Sequence, residues 1–141
     1  MIPTIVDAGP LVAYFDRRDH HHGWARGQLV ALASPPLTCE SAVTEACFLL
    51  RRNLPGAERD LLELLSRGMV LIPFALGDQA AAVVALMDRY ANVPMSLADA
   101  CLVRMAELHE GSRVLTLDGD FRIYRKNGRE PLDAVLPGDR A

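Results

Sequence analysis

The first apolar run, Ile2 to Val6, shows no alternation and is closed by Asp7, Gly9 and Pro10. That is the pattern of a short strand buried on both faces and ended by a turn. A helix is expected from Pro10, and another from about Asp19, as N-cap, to Ala33, where Pro35 and Pro36 stop it. Leu37 to Cys39 reads as a brief strand. The stretch SAVTEACFLLRRN, from Ser41, is built of good helix formers, and GAERDLLELLSRG is amphipathic and closes at Gly68. MVLIPF predicts a strand, GDQAAAVVALMDRYA a helix, and SLADACLVRMAELHEG a helix with Ser96 as N-cap and Gly111 as stop. RVLTLD and LDAVLP predict the last two strands.

The recurring strand, helix, strand order implies parallel strands joined by right-handed crossovers, with helices on both faces. The fold class is therefore α/β, a three-layer α/β/α sandwich around a central, mainly parallel sheet. At 141 residues the chain reads as one domain over 1–141, with 137–141 a loose tail.

Composition narrows the partners. Half the residues are hydrophobic and 23% are charged, as in packed globular proteins. A net charge of −3 excludes a generally basic coat, so any nucleic-acid contact must be local. Cys39, Cys47 and Cys101 are odd in number, unclustered along the chain and set among apolar residues. Buried thiols in a reducing cytoplasm fit them better than disulfides or a zinc site. Asp7 interrupts the only apolar start before a leader could form, and no span approaches membrane length, so a soluble protein is expected.

The chemistry lies in acids at the ends of elements. Ligands of open parallel sheets bind beyond the carboxyl ends of the strands. Asp7 and Asp118 stand at two such ends, and Asp99 and Glu45, in the first turns of their helices, can reach the same side. Clustered carboxylates repel one another unless a cation joins them, and hard oxygen donors suit Mg²⁺ or Mn²⁺. Such an ion serves phosphodiester hydrolysis. Each acid also has a plainer explanation. Ser96 and Asp99 fit a capping box, Asp7 fits a turn or N-cap, and Asp118 and Asp120 fit a glycine turn. Glu45 resists one, because Val43, Ala46, Cys47, Phe48, Leu49 and Leu50 surround it in sequence and a buried glutamate wants a partner.

TIVDAGPLVAYFD, TEACFLL, MSLADACLVRMAE and VLTLDGDF, in that order and spacing, resemble the acidic motifs of the PIN-domain family, especially its VapC-type toxins. The resemblance runs through nearly the whole chain. It implies a Mg²⁺- or Mn²⁺-dependent endoribonuclease whose catalytic and metal-binding acids are Asp7, Glu45, Asp99 and Asp118. Asp120 matches an acidic position often found beside the fourth motif, and whether it touches metal is left open. The implied partners are RNA as substrate, a cognate antitoxin and a second copy of the chain. Thr116, in the fourth motif, could orient an acid or water, although a plain β-branched strand residue is the stronger reading.

RIYRKNGR places Arg122, Arg125 and Lys126 beside the acids, with Tyr124 among them. These residues could track an RNA backbone or stack a base, and a solvated surface loop is an equal reading. His20, His21 and His22 cannot all face one ion on a helix, and Arg51 and Arg52 suit a helix end. Most leucines between Ser41 and Arg67 belong to the core, and an excess on one face could bind a partner helix. Three rivals remain: a phosphoaspartyl or receiver-like domain, which lacks the D-x-D after its first strand; a stand-alone nuclease in RNA processing; and a non-catalytic binding module on the same fold.

Overall fold

The computed structural model describes residues 2–139, so Arg140 and Ala141 of the expected loose tail lie outside the described residues. Its elements are β1 (Thr4–Val6), α1 (Ala8–Phe15), α2 (His22–Val30), α3 (Glu40–Asn53), α4 (Ala57–Ser66), α5 (Leu76–Arg89) and α6 (Leu97–Leu108). There follow β2 (Arg113–Leu115), a 3-10 turn (Gly119–Arg122), β3 (Arg125–Lys126), β4 (Glu130–Pro131) and β5 (Asp133–Val135).

β1 pairs in parallel with β2, and β2 with β5. Beyond β1 the sheet continues through single parallel bridges from Ile5 to Leu37 and from Leu37 to Leu71. The spatial order is thus Leu71, Leu37, β1, β2, β5. Connections leave β1 in one direction and enter β2 from the other, so the winding reverses between their carboxyl ends. That reversal opens a crevice beyond Val6 and Leu115.

Side chains alternate across a strand, and here the alternation sorts two cores. Ile5 and Val114 face a cluster that includes Tyr90, Leu102, Met105, Phe121 and Tyr124. Val6 and Leu115 face the opposite cluster, with Leu11, Leu50 and Leu61. Helices α5 and α6 cover the first face; α1, α3 and α4 cover the second. The sandwich expected from the element order is the architecture observed.

Boundaries differ where local polar groups compete with the periodic pattern. α1 begins at Ala8, two residues before the expected start, because Pro10 is tolerated in a first turn whose N–H groups need no helical partner. Asp19 does not cap a long helix: its carboxylate accepts the amide of His21 at 2.8 Å, and α2 runs only from His22 to Val30. The expected strands at 37–39 and 69–74 shrink to Leu37 and Leu71, and the strand expected over 132–137 to β5. RVLTLD leaves the strand after Leu115, since Thr116 and Asp118 are held by side-chain bonds described below. The basic segment 122–129, for which a surface loop is one of two equal readings, carries β3 and turns into β4 through Asn127 (φ 52°) and Gly128 (φ 82°). Asn-Gly is the pair that tolerates two left-handed residues in succession. Asp139, in the expected loose tail, is tied to Arg122 at 2.6 Å and to the amide of Leu136 at 3.0 Å.

Candidate active site

Asp7 ends β1, and its amide donates to the Leu115 carbonyl at 3.0 Å, which carries the pairing one residue past the strand. Its side chain is buried, 8% exposed. Oδ1 accepts the Ala8 amide at 2.7 Å, so the residue caps α1, and Oδ2 accepts the Thr116 hydroxyl at 2.8 Å. Thr116 Oγ1 accepts the Asp118 amide at 3.0 Å, and Asp118 Oδ1 accepts the Asp120 amide at 2.9 Å. One chain of hydrogen bonds therefore locks the end of β1 to the turn beyond β2. Thr116 is its fully buried link, the orienting role that the sequence made the weaker reading.

Gly9 allows the approach of α1 to this turn. A Cβ at position 9 would lie 3.0 Å from Leu117 Cδ1 and 3.1 Å from its Cγ. Gly9→Val should therefore destabilise the protein by about 2 kcal/mol through overpacking, read as a lower urea midpoint. An unchanged midpoint would mean that Leu117 moves aside freely.

Asp99 enters from α6. Its amide donates to Ser96 Oγ at 3.1 Å, which is half of the expected capping box. The other half is replaced: the carboxylate Oδ2 accepts the Tyr124 hydroxyl at 2.7 Å. Glu45 corrects the sequence reading of a buried glutamate. Val43, Ala46 and Leu50 point into the core, whereas Thr44, Glu45 and Phe48 lie on the exposed side of α3. Adjacent apolar letters are spread about 100° apart on a helix and do not enclose the residue between them.

The acids sense one another. Burial pushes the Asp7 carboxyl up to about 6, against the bonds from Thr116 and Ala8, and the charges of Asp99 and Glu45 push in the same direction. Burial likewise raises Asp99, opposed by the Tyr124 and Ser96 hydroxyls and helped by Asp118 and Asp120. Glu45 is raised by partial burial, then by Asp99 and Asp118. What lowers these carboxyls is hydrogen bonding, with no Lys or Arg among the causes.

Among the described residues no three Asp, Glu, His or Cys side chains stand close enough to close around one ion. The donor set still fits a hard cation by its chemistry: all carboxylate, mutually repelling and uncompensated. Mg²⁺ is ordinarily held by one or two carboxylates together with water rather than by a full protein cage.

The other sequence candidates are placed differently. Arg122 pairs with Asp139, and the Arg125 guanidinium donates to the carbonyls of Arg122, Ile123 and Tyr124, at 2.8 to 3.2 Å. Lys126 lies half-buried in β3. Tyr124 is fully buried, so it offers no face on which a base could stack. His22 Nδ1 lies 2.7 Å from the Ala13 carbonyl and ties α2 to α1. Beside Glu45 runs a groove of about 620 Å³ lined by Ser41, Thr44, Phe74, Ser96 and Leu97. Tyr124 is the site residue that sequence did not single out for the acids, since its partner lies 25 positions away.

No curated protein matches the chain. The family model described as PIN domain matches residues 4–127, a span from β1 to the hairpin that takes in Asp7, Glu45, Asp99, Asp118 and Asp120. A parallel sheet whose winding reverses at an acid-lined crevice, matched by that model over most of its length, means that the chain belongs to the PIN-domain family, a fold of nucleases.

Proposed function

We propose that the chain acts as a single PIN domain that hydrolyses RNA phosphodiester bonds with Mg²⁺, or Mn²⁺ in its place, and that it is the toxin of a toxin–antitoxin pair, cytoplasmic and homodimeric. The observation that carries the nuclease reading is Asp7: a buried carboxylate locked by Thr116 to the Asp118 turn and burdened by the charges of Asp99 and Glu45, with no Lys or Arg among the influences that offset them. A protein keeps such an arrangement at a cost to its own stability, which function explains better than packing does.

Asp7, Asp99 and Asp118 would hold the ion, with Glu45 contributing from the rim and Asp120 adding charge alongside. The ion supplies positive charge against the phosphodiester and makes water a better nucleophile near neutral pH. The protein supplies rigidity. Thr116 fixes Asp7, the Asp120 amide fixes Asp118, and the buried Tyr124 fixes Asp99. Glu45 is the acid most open to solvent, and partial burial and the charges of Asp99 and Asp118 hold its proton more tightly than usual. The groove beside it accommodates a nucleotide next to the bond being cut. Arg122, Arg125 and Lys126 add local positive charge, although the first two are already bound within the protein.

The antitoxin reading is supported by a second groove of about 490 Å³, whose lining includes Leu11, Phe15, Leu29, Val30 and Met69. Val30 and Met69 are more than half exposed there, an apolar trough suited to the apolar face of a partner helix. The three free cysteines, two of them buried, suit a reducing compartment. Among the described residues no helix is long and apolar enough to cross a membrane.

Purified chain should cut single-stranded or loop RNA with Mg²⁺ or Mn²⁺ and stop on addition of EDTA. Expressed alone it should arrest bacterial growth, and a short reading frame for an antitoxin should lie immediately upstream, whose co-expression relieves the arrest. Cleavage that persists in EDTA would sink the metal-dependent nuclease; cleavage without growth arrest would leave a nuclease of RNA processing instead. Sequencing RNA ends after brief induction identifies the target.

A further inference from the structure

Tyr124 stands outside the family's acids, yet its hydroxyl donates to the Asp99 carboxylate, 2.7 Å from Oδ2. The side chain is fully buried. Its ring is wedged edge-on between Tyr90, at 5.1 Å, and Phe121, at 5.3 Å. A ring packed on two sides has little rotamer freedom, so its hydroxyl is held in one place. The backbone that carries it is pinned as well: the Tyr90 hydroxyl accepts the Arg125 amide at 2.8 Å, and the Arg125 guanidinium caps the Tyr124 carbonyl at 3.1 Å. A rigid donor thus occupies one of the two oxygens of Asp99 and leaves Oδ1 for another partner.

We propose that Tyr124 is a positioning residue of the divalent-cation site, one that confines Asp99 to binding through a single oxygen and so favours Mg²⁺ and Mn²⁺ over Ca²⁺. The inference rests on the reading of Asp99 as a ligand given above. Its physical basis is the difference between the ions. Mg²⁺ demands near-octahedral geometry with short bonds and keeps several waters, whereas Ca²⁺ takes six to eight oxygens and readily accepts both oxygens of one carboxylate. A tyrosine that holds Oδ2 obstructs the second mode and leaves the first intact. Asp118 carries the same device, with the Asp120 amide on its Oδ1, whereas both oxygens of Asp7 accept hydrogen bonds, from Ala8 and Thr116. Tyr124 differs in reaching its acid from the residue that precedes β3, 25 positions along the chain from Asp99.

Calorimetric titration of the metal-free chain with Mn²⁺ and, separately, with Ca²⁺ tests it on four proteins: unsubstituted, Tyr124→Phe, Tyr90→Phe and Asp99→Asn. Tyr124→Phe keeps the ring and removes the donor, and should weaken Mn²⁺ binding about tenfold while Ca²⁺ binding holds or tightens. The preference for Mn²⁺ over Ca²⁺ then shrinks by at least the same factor. Tyr90→Phe keeps the ring packing and the Tyr124 donor, removes only the bond to the Arg125 amide, and should change that preference far less than Tyr124→Phe does. Equal loss of both metals in Tyr124→Phe, an unchanged preference, or the same change in Tyr90→Phe would each overturn the inference while Asp99→Asn still lost metal. Mn²⁺ binding by Asp99→Asn as tight as in the unsubstituted chain would overturn the reading of the site itself.

Discussion

Asp7→Asn protein should lose RNA cleavage by roughly a hundredfold or more and yet, free of metal at about pH 8, should withstand more urea than the unsubstituted chain. The two effects share one cause. Asp7 is 8% exposed and carries a charge that its surroundings do not neutralise. Its proton affinity, raised from 3.8 to about 6, corresponds to about 3 kcal/mol of folding free energy spent on ionising it in place. Asparagine removes the charge and keeps the shape, and it caps α1 as well as aspartate does. It accepts only one of the two donors, from Ala8 and Thr116, that Asp7 now satisfies on separate oxygens, a loss of about 1 kcal/mol. The net gain is about 2 kcal/mol, or about 1 M in the urea midpoint.

The sign depends on pH in a way that separates this cause from general repacking. Between 3.8 and about 6 the folded chain holds the Asp7 proton more tightly than the unfolded chain does. The favourable contribution is complete below that window and is lost as pH rises through it. The advantage of Asp7→Asn should therefore be full at neutral pH and vanish in acid, where the lost hydrogen bond makes the variant the weaker protein. A variant less stable than the unsubstituted chain at every pH would show that the carboxylate is not under strain. Full cleavage activity in the variant would remove Asp7 from the catalytic set.

Much of this arrangement was legible from the chain itself, for identifiable reasons. Asp7 and Asp118 announce themselves because an acid that closes an apolar run is costly there, and parallel order places such ends on one side of the sheet. Asp99 was legible as an N-terminal helix residue because Ser96 is its cap, though sequence alone could not say where its carboxylate would point. The hydrogen bonds that join the acids were out of reach for a different reason. Thr116 meets Asp7 across 109 positions and Tyr124 meets Asp99 across 25, and no local period carries that information. Glu45 is not legible as an exposed residue, because apolar neighbours in sequence do not enclose it: its facing on α3 turns it outward. The hairpin at Asn127 and Gly128 had a readable turn signal that the density of basic residues obscured.

Mg²⁺ at about a hundred times its Kd should raise the melting temperature by roughly 10 °C at about pH 8 and by almost nothing near pH 4. Burial and the neighbouring charges raise Asp7, to about 6, and also Glu45 and Asp99, so these three keep their protons to higher pH than ordinary carboxyls. Neutral carboxylic acids bind a cation poorly, and the ion must displace their protons to enter. As pH rises through the window that ends near 6, the metal-free fold weakens by the cost of ionising Asp7. The ion neutralises the same charge, so its stabilising effect grows over the interval in which the metal-free chain loses stability. With Mg²⁺ the stability profile should therefore be nearly flat with pH, and with EDTA it should slope downward. Asp7→Asn, which removes both the penalty and a ligand, should flatten the EDTA profile and reduce the response to Mg²⁺ together. Thermal melts across this pH range, with and without the ion, decide the matter: an equal Mg²⁺ shift at both ends of the range would mean that the cation binds away from the titrating acids.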